Sequence, residues 1–180
     1  LGGTKMTLQN LKVKKLEKDA ILPQKAHDYD AGFDIFSNER NFIKPGEHAK
    51  IKSGIAVDIP EGHVGLLTAR SGINHKSQLR ALLGVIDAGY HGDVSVLVDN
   101  RFTHEQSHRG FLYNAIKIKD YTFNVQSKYF VDHVYEIDKG DKIAQLVIVP
   151  LSQFSKNVEC VERFETQSER GESGFGSTRN

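Results

Sequence analysis

The sequence predicts an all-β domain, a sandwich or barrel of short strands, and three observations carry that expectation. Turn signals recur at near-regular spacing, in Lys44-Pro-Gly-Glu47, Pro60-Glu-Gly62 and Asp138-Lys-Gly-Asp141; glycine and proline there fix backbone bends that neither helix nor strand continues. The stretches between them alternate apolar and polar residues, the period of a strand with one buried face. Helical periodicity is scarce.

Leu8 to Leu16 alternates well enough for a first strand. After Leu22-Pro23 and a polar loop to Tyr29 comes Ala31-Gly-Phe-Asp-Ile-Phe36, a strand with a carboxylate in it. Such a group needs main-chain donors or cations, so Asp34 is either a turn-shaping residue or part of a polar site. Ala49 to Ile59 reads as one strand and His63 to Thr68 as the next. At Ala69-Arg-Ser-Gly-Ile73 the pattern changes, and Ser71 is placed to cap a short helix through Gln78. Free N–H groups at its start, the Ser71 hydroxyl and the Arg70 guanidinium together suit phosphate oxygens.

The chain is organised around Gly84-Val-Ile-Asp-Ala-Gly-Tyr-His-Gly92. Apolar residues precede it (Leu79, Ala81, Leu82, Leu83), and Val94, Val96 and Val98 alternate with Ser95 and Leu97 behind it. The reading is two antiparallel strands joined by a tight connection, with Asp87, Gly89 and Tyr90 at its mouth. A carboxylate and a phenol on a rigid hairpin suit gripping a flat polar ring and placing a base beside it. Taken alone, an Asp in such a turn only shapes the turn.

From Arg101 to about Val134 the pattern is less regular. Eight of the sixteen aromatic residues fall between Arg101 and Tyr135, and Lys117-Ile-Lys119 and Tyr121 to Val125 alternate like strands, so this is no disordered linker. His104 and His108 stand four apart, a metal-compatible spacing, but without further ligands nearby they read as surface histidines. Lys142 to Val149 is a nearly continuous apolar strand interrupted by Gln145, whose amide needs a partner. Pro150 closes it, and Val158 to Phe164 forms one more candidate strand. The end, from Ser168 to Asn180, has no core face of its own, yet it combines Arg170, Phe175 and a Gly-Ser-Thr run. These are parts suited to an arm that folds over a nucleotide.

At 180 residues the chain fits one domain with an adequate core. A net charge of +1 does not indicate a broad basic surface, so direct nucleic-acid binding is not expected, while scattered Lys and Arg can bind a small polyanion. The lone Cys160 cannot form an intrachain disulfide, which suits a reducing cytoplasm. No run is long and apolar enough to span a membrane, and no signal-peptide pattern appears. Residues 1–5 read as an expression leader and Met6 as the natural start, residues 6–167 as the β domain, and 168–180 as the arm.

In order, Ala31-Gly-Phe-Asp34, Arg70-Ser-Gly72, Gly84 to Gly92, Gly140-Asp-Lys-Ile-Ala-Gln-Leu-Val147 and Arg170-Gly-Glu-Ser-Gly-Phe-Gly-Ser-Thr178 resemble the five motifs of the trimeric dUTPase (dUTP pyrophosphatase) family. The segment at about 101–134 is longer than usual for that family and resembles an insert of dUTPases from bacteriophages of Gram-positive bacteria. The resemblance implies a jelly-roll subunit in a homotrimer, with active sites at subunit interfaces completed by a neighbour's arm. It implies hydrolysis of dUTP to dUMP and pyrophosphate with Mg²⁺ carried on the triphosphate, no direct protein ligand, and Asp34 acting from one shell further out. Asp87 would activate the water that attacks the α-phosphorus. Gly84, Val85, Ile86, Asp87 and Ser95 would read uracil and the sugar hydroxyl, Tyr90 would pack on the deoxyribose, and Phe175 would stack on the base. Arg70, Ser71, Gly72, Gln145, Arg170, Gly176, Ser177 and Thr178 would hold the phosphates.

Two departures stand out: Ala81 lies where some members carry Asn, and Arg179 follows Thr178 where Gly is common. Most of the insert's aromatics read first as a small satellite core; Arg101, His104, Arg109 and Tyr113 at its edge are a candidate partner surface, and the resemblance to phage dUTPases implies a repressor as that partner. A dCTP deaminase, which shares the fold, would need a Glu at the position of Leu97, so deamination is set aside. A non-catalytic nucleotide sensor that binds a repressor is the alternative from another class.

Overall fold

A computed structural model describes residues 10–102, 116–117, 134–152, 154 and 158–163. Two sheets form the body of a jelly roll. One is four-stranded, in the order β2 (Gly32–Phe36), β12 (Lys142–Pro150), β6 (His63–Thr68) and β8 (Gly84–Asp87). The other joins β4 (His48–Ile51), β9 (Val96–Asn100) and β7 (Leu79–Ala81). Two smaller sheets flank them: β1 (Lys12–Lys15) with β5 (Ile55–Asp58), and β10 (Ile116–Lys117) with β11 (Tyr135–Ile137) and β3 (Asn41–Ile43). The single helix among the described residues is α1 (Ser71–Lys76). The all-β expectation holds.

Alternation along the strands builds one shared core. Ile35, Leu67, Ile86 and Leu146 from the first sheet meet Ile51, Leu79, Val96 and Val98 from the second, all buried. At about 25 cal/mol per Å² of apolar surface, such interlocked aliphatic faces supply the main driving force for folding. Val94, Val96 and Val98 are buried while Leu97 is exposed, as the alternation requires. At one end the Tyr135 hydroxyl accepts the Gln78 N–H at 2.9 Å just beyond α1. Burial raises that phenol's pKa, partly offset by the same hydrogen bond. Arg40 reaches the buried Glu136 carboxylate across β3 and β11, and that hydrogen bond raises the guanidinium's pKa.

Several elements differ from the sequence expectation. The predicted strand Ala49 to Ile59 is two strands that join different sheets, β4 pairing with β9 and β5 with β1. The switch is made at Gly54, whose φ of +72° is a left-handed value that β-branched neighbours would resist. The connection from Leu79 to Val98 is not tight. β7 and β9 do pair antiparallel, but Gly84–Asp87 between them leaves that sheet and pairs with β6 in the other. The cap of α1 is Arg70, with no side-chain hydrogen bond, because Ser71 is already helical. Residues 158–163 form no strand and are exposed, since nothing described packs against them. β3 and β11 were not foreseen; at three residues each they are too short for periodicity to register.

Candidate active site

The first half of the site is a buried ionic cluster on the four-stranded sheet. Gln145 on β12 stands opposite Asp34 on β2 and opposite Thr68 on β6, so the three share one rung. The Gln145 amide donates to Asp34 Oδ1 at 3.4 Å, and the Thr68 hydroxyl donates to the Gln145 carbonyl at 3.4 Å. Arg70 Nε lies 3.1 Å from Asp34 Oδ1, and Lys142 Nζ lies 3.3 Å from Asp34 Oδ2. Arg70 also donates through Nη1 to the Lys142 carbonyl at 3.5 Å.

Lys142 and Gln145 are three residues apart, which in a regular strand puts them on opposite faces. A bulge between Lys142 and Ala144 resets the register, so Lys142 pairs with Phe36 and Gln145 with Asp34. Phe36 and Asp34 share a face, and the bulge therefore delivers both polar side chains to one carboxylate. One carboxylate against two cations leaves a net positive centre, oriented by bonds that hold without a ligand. That is what an anion site needs.

The second half of the site lies around β8. Among the described strands β8 is the outer one of its sheet, which leaves one row of its main-chain N–H and C=O groups outside that ladder, available to a ligand. Gly84, Val85 and Ile86 supply that edge, and Asp87 ends it with an exposed carboxylate. The Asp87 carbonyl accepts the Tyr90 N–H at 3.1 Å, closing a turn in which Gly89 takes φ +86°. Tyr90 then folds back. Its hydroxyl donates to the Asp93 carbonyl at 3.2 Å, over a glycine whose added Cβ would lie 2.4 Å from the phenolic oxygen. Ser95 is engaged within the loop: its hydroxyl donates to Asp93 Oδ1 at 2.6 Å, and its N–H to the Asp93 carbonyl at 3.0 Å.

The structure thus brings Asp34, Arg70 and Gln145 together and places Gly84, Val85, Ile86, Asp87 and Tyr90 on one edge and turn. Ser71 and Gly72 open α1 next to Arg70. Lys142 and Asp93 belong to these two halves but were not singled out from the sequence. For Lys142 the available signal was a cation opening an apolar strand; for Asp93, a second carboxylate beside a glycine. Arg170, Phe175, Gly176, Ser177 and Thr178 lie outside the described residues, as do His104, His108, Arg109 and Tyr113. Among the described residues, no group of three or more His, Cys, Asp or Glu side chains is placed to hold a metal ion, and no helix is long and apolar enough to cross a membrane.

The dUTPase family model matches residues 18–108 and 104–179. The deoxyuridine 5'-triphosphate nucleotidohydrolase of Clostridium tetani is 37% identical over 175 residues, covering 96% of this chain and 99% of that one. The dUTPase of Staphylococcus bacteriophage 80alpha, solved with dUPNHPP, superposes with a TM-score of 0.82 at 43% identity, covering 96% of this chain and all of that one. It is described as controlling transfer of virulence genes by a proto-oncogenic G protein-like mechanism. A variant dUTPase from phage phi11 of S. aureus, whose structure details the coordination of a structural Mg(II) ion, aligns at 39% identity with a TM-score of 0.75, covering 88% of this chain and all of that one. With relatives this similar along nearly its whole length, the chain belongs to the dUTPase family.

Proposed function

We propose that the chain hydrolyses dUTP to dUMP and pyrophosphate, with Asp87 as general base and the Asp34 cluster as phosphate cradle. Asp87 takes a proton from the water that attacks the α-phosphorus, and its other oxygen is available to the sugar 3′-hydroxyl. The outer edge of β8 reads uracil through main-chain groups from Gly84 to Ile86, with Ser95 holding the turn behind it. Tyr90 packs on the deoxyribose and leaves no room for a 2′-hydroxyl. Arg70, Lys142 and Gln145, with the N–H groups of Ser71 and Gly72, stabilise charge as it moves onto the leaving pyrophosphate. The arm closes from above, Phe175 on the base and Arg170, Gly176, Ser177 and Thr178 on the phosphates.

Mg²⁺ enters as part of the substrate, on triphosphate oxygens and water. The carboxylate nearest the cradle, Asp34, is already held by Arg70 and Lys142, so it fits a role one shell away from such an ion.

The observation that carries this reading is the placement of the two halves along β6. Asp87 pairs with Val64 near one end, and Gln145 pairs with Thr68 at the other. Four residues of strand separate those rungs, roughly 13 Å at about 3.3 Å per residue, and Arg70 lies two residues further on. A base that far from the phosphates cannot reach their water, because proton transfer needs hydrogen-bond contact. One chain therefore offers a base-and-sugar half and a phosphate half suited to different sites, and the homotrimer of the dUTPase family is the assembly that would close them at subunit interfaces. Mixing Asp87→Asn subunits with Arg70→Ala subunits, each inactive alone, tests this: activity returns if one chain's base meets another's cradle, and stays absent if each chain completes its own site. In isotope-labelled water, the label should appear in dUMP; label in pyrophosphate would place attack on the β-phosphorus instead.

Leu97 is an exposed aliphatic residue and cannot shuttle the proton that deamination requires. A second role, in which the segment at about 101–134 docks a repressor protein, rests on the resemblance to phage dUTPases; the 80alpha enzyme is described as controlling transfer of virulence genes by a G protein-like mechanism. Of the segment's proposed contact residues Arg101 is exposed.

A further inference from the structure

The loop that carries Tyr90 is held from below by a side chain with no assigned part in the reaction. Asp93 Oδ2 accepts the Gly54 N–H at 2.8 Å; Oδ1 accepts the Ser95 hydroxyl at 2.6 Å and the Ser53 N–H at 3.4 Å. Its own carbonyl receives the Tyr90 hydroxyl. Asp93 therefore joins the site loop to the turn between β4 and β5, and that turn is rigid. Ser53 is 1% exposed, a Cβ on Gly54 would touch Asn38 at 2.9 Å, and the Gly54 carbonyl accepts N–H groups from Leu16 and Glu17. A carboxylate taking three donors is fixed in place, and charge-assisted bonds of this kind are stronger than neutral ones.

We infer that Asp93 is a positioning residue that sets the sugar discrimination of the site, by anchoring the Tyr90 phenol to the Ser53–Gly54 turn. The inference rests on dUTP as substrate and on Tyr90 as the wall against a 2′-hydroxyl. Tyr90 is 46% exposed, so packing alone does not fix its ring. The hydrogen bond to Asp93 and the close approach over Gly92 do. Loosening the anchor lets the ring retreat and admits the larger sugar, while Asp87, on the strand side of the turn, keeps its place in the β6–β8 ladder.

The test compares wild type, Asp93→Asn and Asp93→Ala by the ratio of kcat/KM for dUTP over UTP. It also compares amide exchange at Gly54 without nucleotide. In Asp93→Ala the Ser53, Gly54 and Ser95 donors lose their acceptor while the Tyr90 bond to the main-chain carbonyl is only loosened, so the ratio should fall about tenfold, mainly through KM for dUTP and gain on UTP. Gly54 should lose protection. Asp93→Asn keeps one acceptor and should fall between. Faster exchange at Gly54 with an unchanged ratio would reduce Asp93 to a structural role and overturn the inference, as would unchanged exchange. Where the Ala variant fails to fold, the Asn variant decides by the same two readings. Wild-type turnover of dUTP separates failure of this inference from failure of the substrate assignment: an enzyme inactive on dUTP refutes the latter.

Discussion

The two ends of β6 treat a carboxylate in opposite ways. At the Thr68 end Asp34 is buried, with Arg70, Lys142 and Gln145 all placed on it. At the Val64 end Asp87 is exposed, and among the described residues nothing bonds its side chain. The first carboxylate has its charge neutralised in advance and serves to aim cations. The second is open to solvent with its lone pairs available, as the proposed general base requires. Burial with partners makes a scaffold, and exposure on a rigid edge makes a reagent.

This contrast predicts where each carboxylate will be missed. Asp87→Asn should lower kcat by ~10²–10⁴-fold, the range for removing a general base. Nucleotide binding should stay close to wild type, and stability should stay within about 0.5 kcal/mol, as for surface changes. Single-turnover kinetics and a thermal melt on the same sample decide it. A variant that melts early would mean that Asp87 is part of the framework after all.

Asp34→Ala should do the reverse in kind. Removing one partner of a buried ionic cluster leaves uncompensated charge and costs about 3–5 kcal/mol, visible as a lower urea midpoint with an unchanged slope. Activity falls as well, since Arg70 and Lys142 lose the carboxylate that aims them. If the midpoint does not move, water reaches the cluster and the contrast between the two ends is smaller than their burial implies.

What was legible from sequence follows from the range of the interactions. Turns are local, so Lys44-Pro-Gly-Glu47 and Pro60-Glu-Gly62 could be read, and both close with the expected hydrogen bonds. The strand His63–Thr68 was read with its true limits. Gly84–Asp87 reads from the sequence as a connection but is a strand of the other sheet, because nothing local says which sheet an apolar quartet will join. The Asp34 cluster was visible only as an oddity. Its partners lie far along the chain, and the bulge that brings Lys142 and Gln145 to one face has no signature in Lys-Ile-Ala-Gln. The helix start was misread by one residue. Ser71 has the chemistry of a cap, but Arg70 holds the capping position while its side chain is drawn to Asp34.

The smallest expected effect concerns the turn that presents Asp87 and Tyr90. Gly89 has φ +86°, and a Cβ added there would meet nothing within 4 Å. Steric crowding is therefore absent, and the whole cost of Gly89→Ala is conformational. An L-residue in the left-handed region costs about 1–2 kcal/mol, against which a stiffer unfolded chain returns about 0.4–1 kcal/mol. The net loss should be roughly 0.5–1 kcal/mol by that balance. Gly89→Asn should lose less, because Asn tolerates this region. Gly92→Ala makes the useful contrast: its Cβ meets the Tyr90 ring, so sugar selectivity should suffer there more than stability. Urea midpoints for the three variants, with dUTP and UTP turnover alongside, separate a strained backbone from a displaced ring. Equal stability for Gly89→Ala and wild type would show that the turn relaxes into another form, and that its geometry is held by Asp93 and Tyr90 rather than by Gly89.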